Sequence, residues 1–345
     1  MRHKQAPWIA LALAACEPQM PVSDDAASDL DVLESPDAVV VDAPGLDAPG
    51  LDALGFDAPA EADASAGTDA PTGPDASTGP DASTGDAGAL VGGSLRFFGH
   101  GRDGVDRVVI PIDGPPRPAD IGERDFTIEL FVKARPGDNP ATGCRPVNDG
   151  WIAGHTLLDR DVYGGGDLGD FGLSIFSGVV AFGLARGESG IGLCSTARID
   201  DDRWHHVAVT REGATGEVVL WIDGVRDAST GGPTGDLRYR DGRASDWPFD
   251  PTLVLGAEKH DAGDAYPSFS GWIDELRLST SVRYRASFTP PDGPFAPDPD
   301  TAALYHFDEG DGLDVRDATG GGSHGTLRVG GDPVGPAWSV DQPFR

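Results

Sequence analysis

Basic residues are scarce in this sequence. The chain has 26 Lys and Arg against 57 Asp and Glu, a formal net charge of −31. Phosphate backbones repel a chain with this charge, so nucleic acid is not expected as a partner. Residues 17–93 contain seventeen acidic residues and no Lys or Arg, whereas residues 94–345 contain both signs. The charge thus divides the chain into a short leader, an acidic spacer and one large domain.

The apolar run near the start, residues 8–15, is too short to cross a bilayer. Because it follows Arg2 and Lys4, it is typical of a secretory signal peptide. The leader ends in Leu-Ala-Ala-Cys, which looks like a bacterial lipobox, so we predict a lipoprotein signal peptide over residues 1–16 with lipidation at Cys16. Ordinary cleavage after the Ala12-Leu13-Ala14 pattern, without lipidation, is the alternative.

The expected lipid anchor makes the membrane a partner. Two or three acyl chains hold a protein stably, whereas a single chain does not. The residue after the cysteine is Glu17 and not Asp, which favours the outer membrane or the cell surface over retention at the inner membrane.

Large apolar residues are also few between residues 17 and 93. Asp recurs every five residues from Asp42 to Asp57 and every six from Asp69 to Asp81, in units that contain Gly or Pro. Neither period matches a helix or a strand, and so little apolar surface cannot offset the entropy of ordering. We expect a disordered linker rich in Asp, Ala, Pro and Gly, either a stalk or a spacer without a specific role.

Residues 94–345 lack a sustained apolar period of 3.6 residues. They contain many short strand-like runs separated by Gly, Pro and Asp, which predicts an all-β sandwich of two packed antiparallel sheets. The clearest pair of runs is Trp204 to Arg211 and Glu217 to Ala228. Asp223-Gly224 in the second run is typical of a two-residue hairpin turn. Residues 218–222 are apolar on both faces, so this strand is expected inside a layered structure.

The pair of runs resembles the signature of the laminin-G-like, concanavalin A-like jelly rolls. Four further segments resemble that family in the right order: SLRFFGHGRDGVDRVVIP, DFTIELFVKA, FSGWIDELRLSTSVRYRASFTPP and ALYHFDEGDGLDVRDATGGGSHGTL. The resemblance implies a two-sheet antiparallel jelly-roll sandwich over residues 94–345. The sequence departs from the family at Gly99, where Asp is common, and at Phe131, where Trp is common.

Cysteines number only three. Cys144 and Cys194 both lie in the predicted domain, and export to an oxidising compartment favours a disulfide between them. Two free or metal-bound thiols are the alternative, although the absence of a Cys-x-x-Cys pattern argues against zinc.

Signatures of catalysis are missing as well. The sequence has no Glu-x-Asp-x-Glu run, which would place two carboxylates on one strand face, and no His-Glu-x-x-His. Residues 321–325 match Gly-x-Ser-x-Gly around Ser323, but no helix pattern follows, as a nucleophile elbow requires. The resemblance implies that His206 is a packed strand residue. We therefore predict a non-catalytic protein.

Two function classes remain, and a glycan-active hydrolase is the third alternative. The first is a lipid-anchored binding module for a carbohydrate or a surface protein, and the second is a structural or envelope-assembly role without a small ligand. A binding rim is expected on the loops 159–170, 226–250 and 258–269, because aromatic rings stack on sugar faces. The loop aromatics that carry this prediction are Tyr163, Tyr239, Trp247, Phe249 and Tyr266.

The resemblance also implies one structural calcium ion, held by an Asp of a late strand and by groups near the first strand. Asp274 matches the late-strand residue. Gly99 is the expected first-strand position and offers only its carbonyl, so Asp103 or Asp106 are the expected substitutes for the missing carboxylate. The alternative is that Asp274 only accepts hydrogen bonds from neighbouring groups.

Overall fold

The structure is a computed structural model that describes residues 93–114, 116, 118–163, 169–187, 189–239 and 250–344. The predicted signal peptide, Cys16 and the linker up to residue 92 lie outside the described residues. Within the described ranges, no helix is long and apolar enough to span a bilayer.

Strands dominate the described part of the chain. In chain order they are β1 (Ser94–Phe98), β2 (Arg107–Pro111), β3 (Phe126–Lys133), β4 (His155–Arg160), β5 (Gly169–Phe176), β6 (Val179–Arg186), β7 (Ser189–Arg198), β8 (Trp204–Arg211), β9 (Glu217–Ile222), β10 (Val225–Gly231), β11 (Thr252–Leu255), β12 (Ser270–Ser279), β13 (Thr301–Tyr305), β14 (Asp314–Val315), β15 (Gly325–Arg328) and β16 (Ala337–Ser339).

These strands form two sheets of eight strands each. The first sheet has the order β10-β9-β8-β3-β12-β1-β16, with β13 paired to β12, and the second has the order β14-β15-β2-β11-β4-β5-β6-β7. Every pair of neighbours is antiparallel. The predicted two-sheet antiparallel sandwich is confirmed.

The central hairpin forms largely where the sequence predicts it. Strand β8 has the predicted bounds, and β9 lies between β8 and β10 in the interior of its sheet. The second predicted strand does not continue to Ala228, because the chain turns at Asp223 and Gly224. Both residues have positive φ, 50° and 75°, as a type I′ turn requires.

The apolar core lies between the two sheets and follows the alternation of strand side chains. Val207 and Val209 of β8 point into it, whereas Ala208 between them lies in a separate cluster on the outer face of the first sheet. Tyr284 and Phe288 pack on Trp221 in that cluster. The segment after β12 therefore covers this part of the first sheet.

A buried polar network lies beneath this cover and is centred on Glu129 of β3, whose side chain is fully buried. One carboxylate oxygen accepts hydrogen bonds from Tyr284 Oη at 2.6 Å and lies 3.1 Å from His206 Nε2. The other oxygen accepts from Arg277 Nε at 2.8 Å. His206 is thus a packed, hydrogen-bonded strand residue, in agreement with the prediction.

Candidate functional site

One row of residues crosses the outer face of the second sheet, and its side chains determine which part of that face is covered and which part is open. Directly opposite residues of antiparallel neighbours point to the same side of a sheet. The strand registers align the following residues from β15 to β7: Thr326, Val109, Val254, Asp159, Gly172, Gly183 and Gly192. We call these residues the outer row. Its two ends differ in chemistry, with branched side chains at one end and glycines at the other.

The glycine end of the outer row is covered by the segment 139–154. The indole ring of Trp151 lies where a Cβ at Gly172 or Gly183 would stand, and backbone atoms of Val147 lie above Gly192. Glycine is therefore required at these row positions, because any larger residue would displace the cover.

The predicted disulfide holds this cover and is confirmed. Cys144 of the covering segment is bonded to Cys194 of β7, with the two Cα atoms 6.1 Å apart. The indole of Trp151 is 2% exposed and packs in a cluster with Phe176 and Ala181. This half of the outer face is therefore closed to a ligand.

The other end of the outer row is open and forms the floor of a pocket of about 710 Å³. Val109 supplies partly exposed apolar floor and Thr252 lies beside it, whereas Val254 is 2% exposed and lies beneath them. One wall is the loop between β1 and β2, and the opposite wall is the loop after β11. The polar and charged lining residues are Arg102, Asp103, Arg107, Lys259, His260, Asp261 and Arg328.

Two buried cations fix the walls of this pocket. The guanidinium of Arg107 donates to the carbonyl oxygens of Gly101 in one wall and of Lys259 in the other. The ammonium of Lys259 donates to the carbonyl of Asp250 at 2.9 Å and of Thr252 at 3.2 Å. Burial lowers the pKa of both side chains. Their role in the pocket is to position its walls.

A compact ionic cluster borders the pocket at His260. Atoms of Asp161, Glu258 and His260 that could hold a metal ion lie within 4.8 Å of one another. The imidazole Nδ1 lies 3.1 Å from Glu258 Oε1 and 3.4 Å from Asp161 Oδ2, and Nε2 lies 2.5 Å from Asp250 Oδ1.

The protonation state of His260 determines whether this cluster is a metal site or an ion-pair network. Burial acts to lower the pKa of His260, but hydrogen bonds to Asp161, Asp250 and Glu258 raise it to about 11. At neutral pH the imidazolium is therefore itself the cation at the centre of the cluster. A metal ion would have to displace the proton, so we interpret the group as an ion-pair network that braces the loop after β11.

The residues predicted to share a calcium ion do not lie together, and that prediction is wrong in its first-strand part. Gly99, Asp103 and Asp106 follow the end of β1 that pairs with Ser270, whereas Asp274 lies next to Ile273, which pairs with Leu95. Phe98 is three residue steps along the strand from Leu95, about 10 Å at the rise of a β-strand. The antiparallel register thus places the two halves of the predicted site at opposite ends of β1.

Other contacts account for the predicted first-strand residues. The carboxylate of Asp106 accepts hydrogen bonds from the backbone of Phe98 at 2.8 Å and of His100 at 2.9 Å, which braces the turn. Asp103 lines the outer-face pocket, and Gly99 lines a neighbouring depression. Asp274 is buried and accepts a hydrogen bond from the backbone of Glu275 at 2.8 Å.

The predicted loop aromatics have different positions. Tyr163 is 52% exposed, and its ring contacts His260 at the border of the pocket. Tyr266 is partly exposed on the loop after β11. The prediction of an exposed Tyr239 is wrong, because this ring is 5% exposed and belongs to the main core. Trp247 and Phe249 lie outside the described residues.

Ser323 does not occupy a nucleophile elbow. Its hydroxyl accepts a hydrogen bond from the backbone of Ala119 at 3.0 Å, and its carbonyl accepts one from Tyr305 Oη at 2.6 Å. Strand β15 and not a helix follows it. The serine therefore closes a loop, as its Gly-rich context predicts.

Sequence reasoning missed most of the pocket. The chain positions of three lining residues, Arg102, Lys259 and Arg328, are far apart, and no local pattern connects them. Only the loop after β11 was among the predicted rim loops. The strand register, which brings β15, β2 and β11 side by side, is the signal that was needed.

The fold and the pocket describe a jelly-roll sandwich with one open outer-face cleft. The chain belongs to the concanavalin A-like lectin/glucanases superfamily, because a laminin G model of that superfamily matches residues 115–287, half of the chain. The family that the sequence resembles is thereby confirmed. A search of curated proteins finds no match.

Solved structures with a similar arrangement of strands include three distant ones. A proposed carbohydrate-binding protein from Bacteroides ovatus is 15% identical, with a TM-score of 0.43, and the match covers 74% of this chain and 61% of that one. A pentraxin from Limulus polyphemus is 14% identical, with a TM-score of 0.39, and the match covers 60% of this chain and 86% of the pentraxin. Laminin α1 domains LG4-5 from mouse are 15% identical, with a TM-score of 0.38, and the match covers 61% of this chain and 46% of the laminin chain.

Proposed function

We propose that this protein is a lipid-anchored binding module of the cell surface that takes a carbohydrate in the outer-face pocket. The observation that carries the proposal is the open end of the outer row, where a cleft of about 710 Å³ combines an apolar floor with polar walls. Small-ligand sites commonly have this size and this mixture of surfaces. The superfamily's description as lectins and glucanases supports a saccharide as the ligand class.

We propose binding without hydrolysis. Glycoside hydrolysis uses two carboxyl groups that flank the scissile bond. The sequence has no Glu-x-Asp-x-Glu run, and the carboxylates of Asp161 and Glu258 beside the pocket are engaged with His260, which leaves Asp103 and Asp261 as the exposed carboxylates of the lining. The absence of the paired-carboxylate run supports binding without hydrolysis.

Filling the pocket tests this function. In Ala262→Trp, an indole would occupy space along a pocket wall, and we expect at least a tenfold loss of affinity for the saccharide that the wild-type chain selects from a glycan array. Ala214→Trp adds the same side chain on an exposed turn outside the pocket and should bind like wild type. Unchanged binding by Ala262→Trp would place the ligand elsewhere and overturn the proposal.

We also propose a structural calcium ion at Asp274, with donors different from those predicted. The space beside Gly93 is bordered by the carbonyl oxygens of Phe307 and Ser339 and by Asp308 Oδ1, at 2.8, 3.4 and 3.5 Å from a Cβ built on Gly93. Burial and then the neighbouring Glu275 raise the pKa of Asp274 to about 9, with a further contribution from Asp308. Oxygen donors of this kind, supplied by carboxylates and carbonyls, suit calcium.

Calcium should then stabilise the protein in a pH-dependent way. Asp274 is protonated at neutral pH without a cation, so binding must release this proton and strengthens as the pH rises toward 9. At calcium well above the dissociation constant, we expect the Tm to rise by about 5 °C relative to chelator, and by more at pH 8.5 than at pH 6. Asp274→Asn should remove the shift, and Asp103→Asn should keep it. An equal Tm in calcium and in chelator would contradict the proposal.

A further inference from the structure

Part of the outer-face pocket is lined by basic side chains, in a chain whose net charge is −31. Lys259 and His260 are balanced by the carboxylates of Asp161, Asp250 and Glu258. The remaining cations of the lining are Arg102, Arg107 and Arg328. A group of cations on one wall attracts ligands of the opposite sign, so these arginines favour an anion.

Two of these cations face each other. Arg107 and Arg328 are directly opposite in the register of β2 and β15, an arrangement that is unfavourable for like charges. Arg107 donates only to backbone carbonyls, and among the described residues no carboxylate lies within ion-pair distance of either guanidinium. Arg328 is exposed. The carboxylates of Asp106, Asp159 and Glu258 act on the charge of buried Arg107, so the exposed guanidinium of Arg328 is the charge that remains available to a ligand.

A third cation stands at the rim. Arg102 is paired with Asp264 at 2.8 Å, but the two side chains are 62% and 100% exposed. Ion pairs as exposed as this one contribute little, so a ligand can displace Asp264 at small cost. Arg102 therefore remains available to an anion that enters the pocket.

We propose that the pocket recognises an acidic saccharide, whose carboxylate or sulfate group is bound by Arg102 and Arg328 while a ring face lies on Val109. This inference rests on the proposed carbohydrate-binding function and specifies its ligand class. Guanidinium groups bind carboxylate and sulfate oxygens with charge-assisted hydrogen bonds, which are stronger than neutral ones. The apolar floor explains why a sugar ring and not a free anion is the expected unit.

The test compares charged saccharides with their neutral counterparts on the full-length protein. The ligands are oligogalacturonate and its methyl ester, chondroitin sulfate and its desulfated, carboxyl-reduced form, and polyaspartate as an acidic polypeptide. We expect at least one acidic saccharide to bind about tenfold or more tightly than its neutral form, with an affinity that falls as salt rises. Arg328→Gln and Arg102→Gln should each weaken this binding about tenfold, and Arg328→Lys by less. Arg203→Gln, an exposed position in the turn before β8, is the matched control and should bind like wild type.

Each outcome separates the two proposals. If the charged and neutral saccharides bind equally well, and if Ala262→Trp abolishes the binding of both, the acidic-saccharide inference is overturned. The carbohydrate-binding function then stands. Failure of every acidic saccharide to bind, or preference for polyaspartate through Arg102 and Arg328, would overturn the inference as well. Tenfold losses in Arg328→Gln and Arg102→Gln, restricted to the charged forms and absent in Arg203→Gln, would support it.

Discussion

Glu129→Gln is expected to destabilise the protein by about 3–5 kcal/mol, because the substitution leaves buried cations without their counter-charge. The carboxylate of Glu129 is fully buried, and it is the anion that Arg277 contacts at 2.8 Å and Arg283 at 3.7 Å. An amide of the same shape keeps the packing, but only one of its two terminal atoms can accept a hydrogen bond. The loss therefore combines the missing charge with an unfavourable donor–donor contact, either at Arg277 or at Tyr284 and His206. The free energy of unfolding in urea, measured for both proteins, checks this result.

The pH dependence of that difference follows from the pKa of Glu129. Burial acts to raise this pKa, but the hydrogen bond from His206 and the charge of Arg277 outweigh burial, so the folded-state pKa lies below the ordinary value of 4.5. The stabilisation is therefore fully present above pH 4.5 and is lost as the pH falls through the folded-state pKa. The gap between wild type and Glu129→Gln should shrink only in that acidic range.

An exposed pair in the same sheet provides the control. Glu217 and Arg226 lie 2.7 Å apart, but their side chains are 50% and 44% exposed. Glu217→Gln should change the free energy of unfolding by less than about 1 kcal/mol. A loss in Glu129→Gln as small as the loss in Glu217→Gln would show that the buried network does not stabilise the sandwich.

Cys16→Ser should move the protein from the membrane fraction to the soluble fraction. The lipobox-like ending of the leader makes Cys16 the expected attachment site, and without acyl chains the acidic sequence that follows offers no apolar segment to hold the bilayer. Fractionation together with incorporation of a labelled fatty acid measures both the position and the lipid.

The other two cysteines supply the matched control for this experiment. Changing Cys144 and Cys194 together to serine removes the disulfide but keeps Cys16, so the protein should stay in the membrane fraction and keep its label. Retention of Cys16→Ser in the membrane fraction would refute lipid anchoring at this residue.

The sequence predicts those parts of the fold that depend on local patterns. Three features follow from neighbouring residues or from composition: the alternation of β8, the Asp-Gly turn after β9, and the pairing of the two cysteines in the folded domain. The burial of Tyr239 could not be predicted from neighbouring residues. Its backbone N–H donates to the carboxylate of Asp120, which lies far away in the chain and turns the ring into the core.

The outer row could not be predicted from the sequence either, because it depends on the register of several strands. Gly172, Gly183 and Gly192 look like ordinary loop or strand glycines until the registers align them under the segment that contains Trp151. Likewise, Arg328 becomes part of a positive pair only because β15 lies next to β2. The metal prediction was wrong in its first-strand part for the same reason, since only the register of β1 with β12 shows which end of the first strand Asp274 approaches.

The most direct test of the central claim is a crystal structure of the protein with the acidic saccharide that it binds most tightly. We predict density for a sugar ring against Val109, with its carboxylate or sulfate within hydrogen-bonding distance of the guanidinium groups of Arg102 and Arg328. Density for the saccharide on another surface, with only solvent in this pocket, would contradict the account.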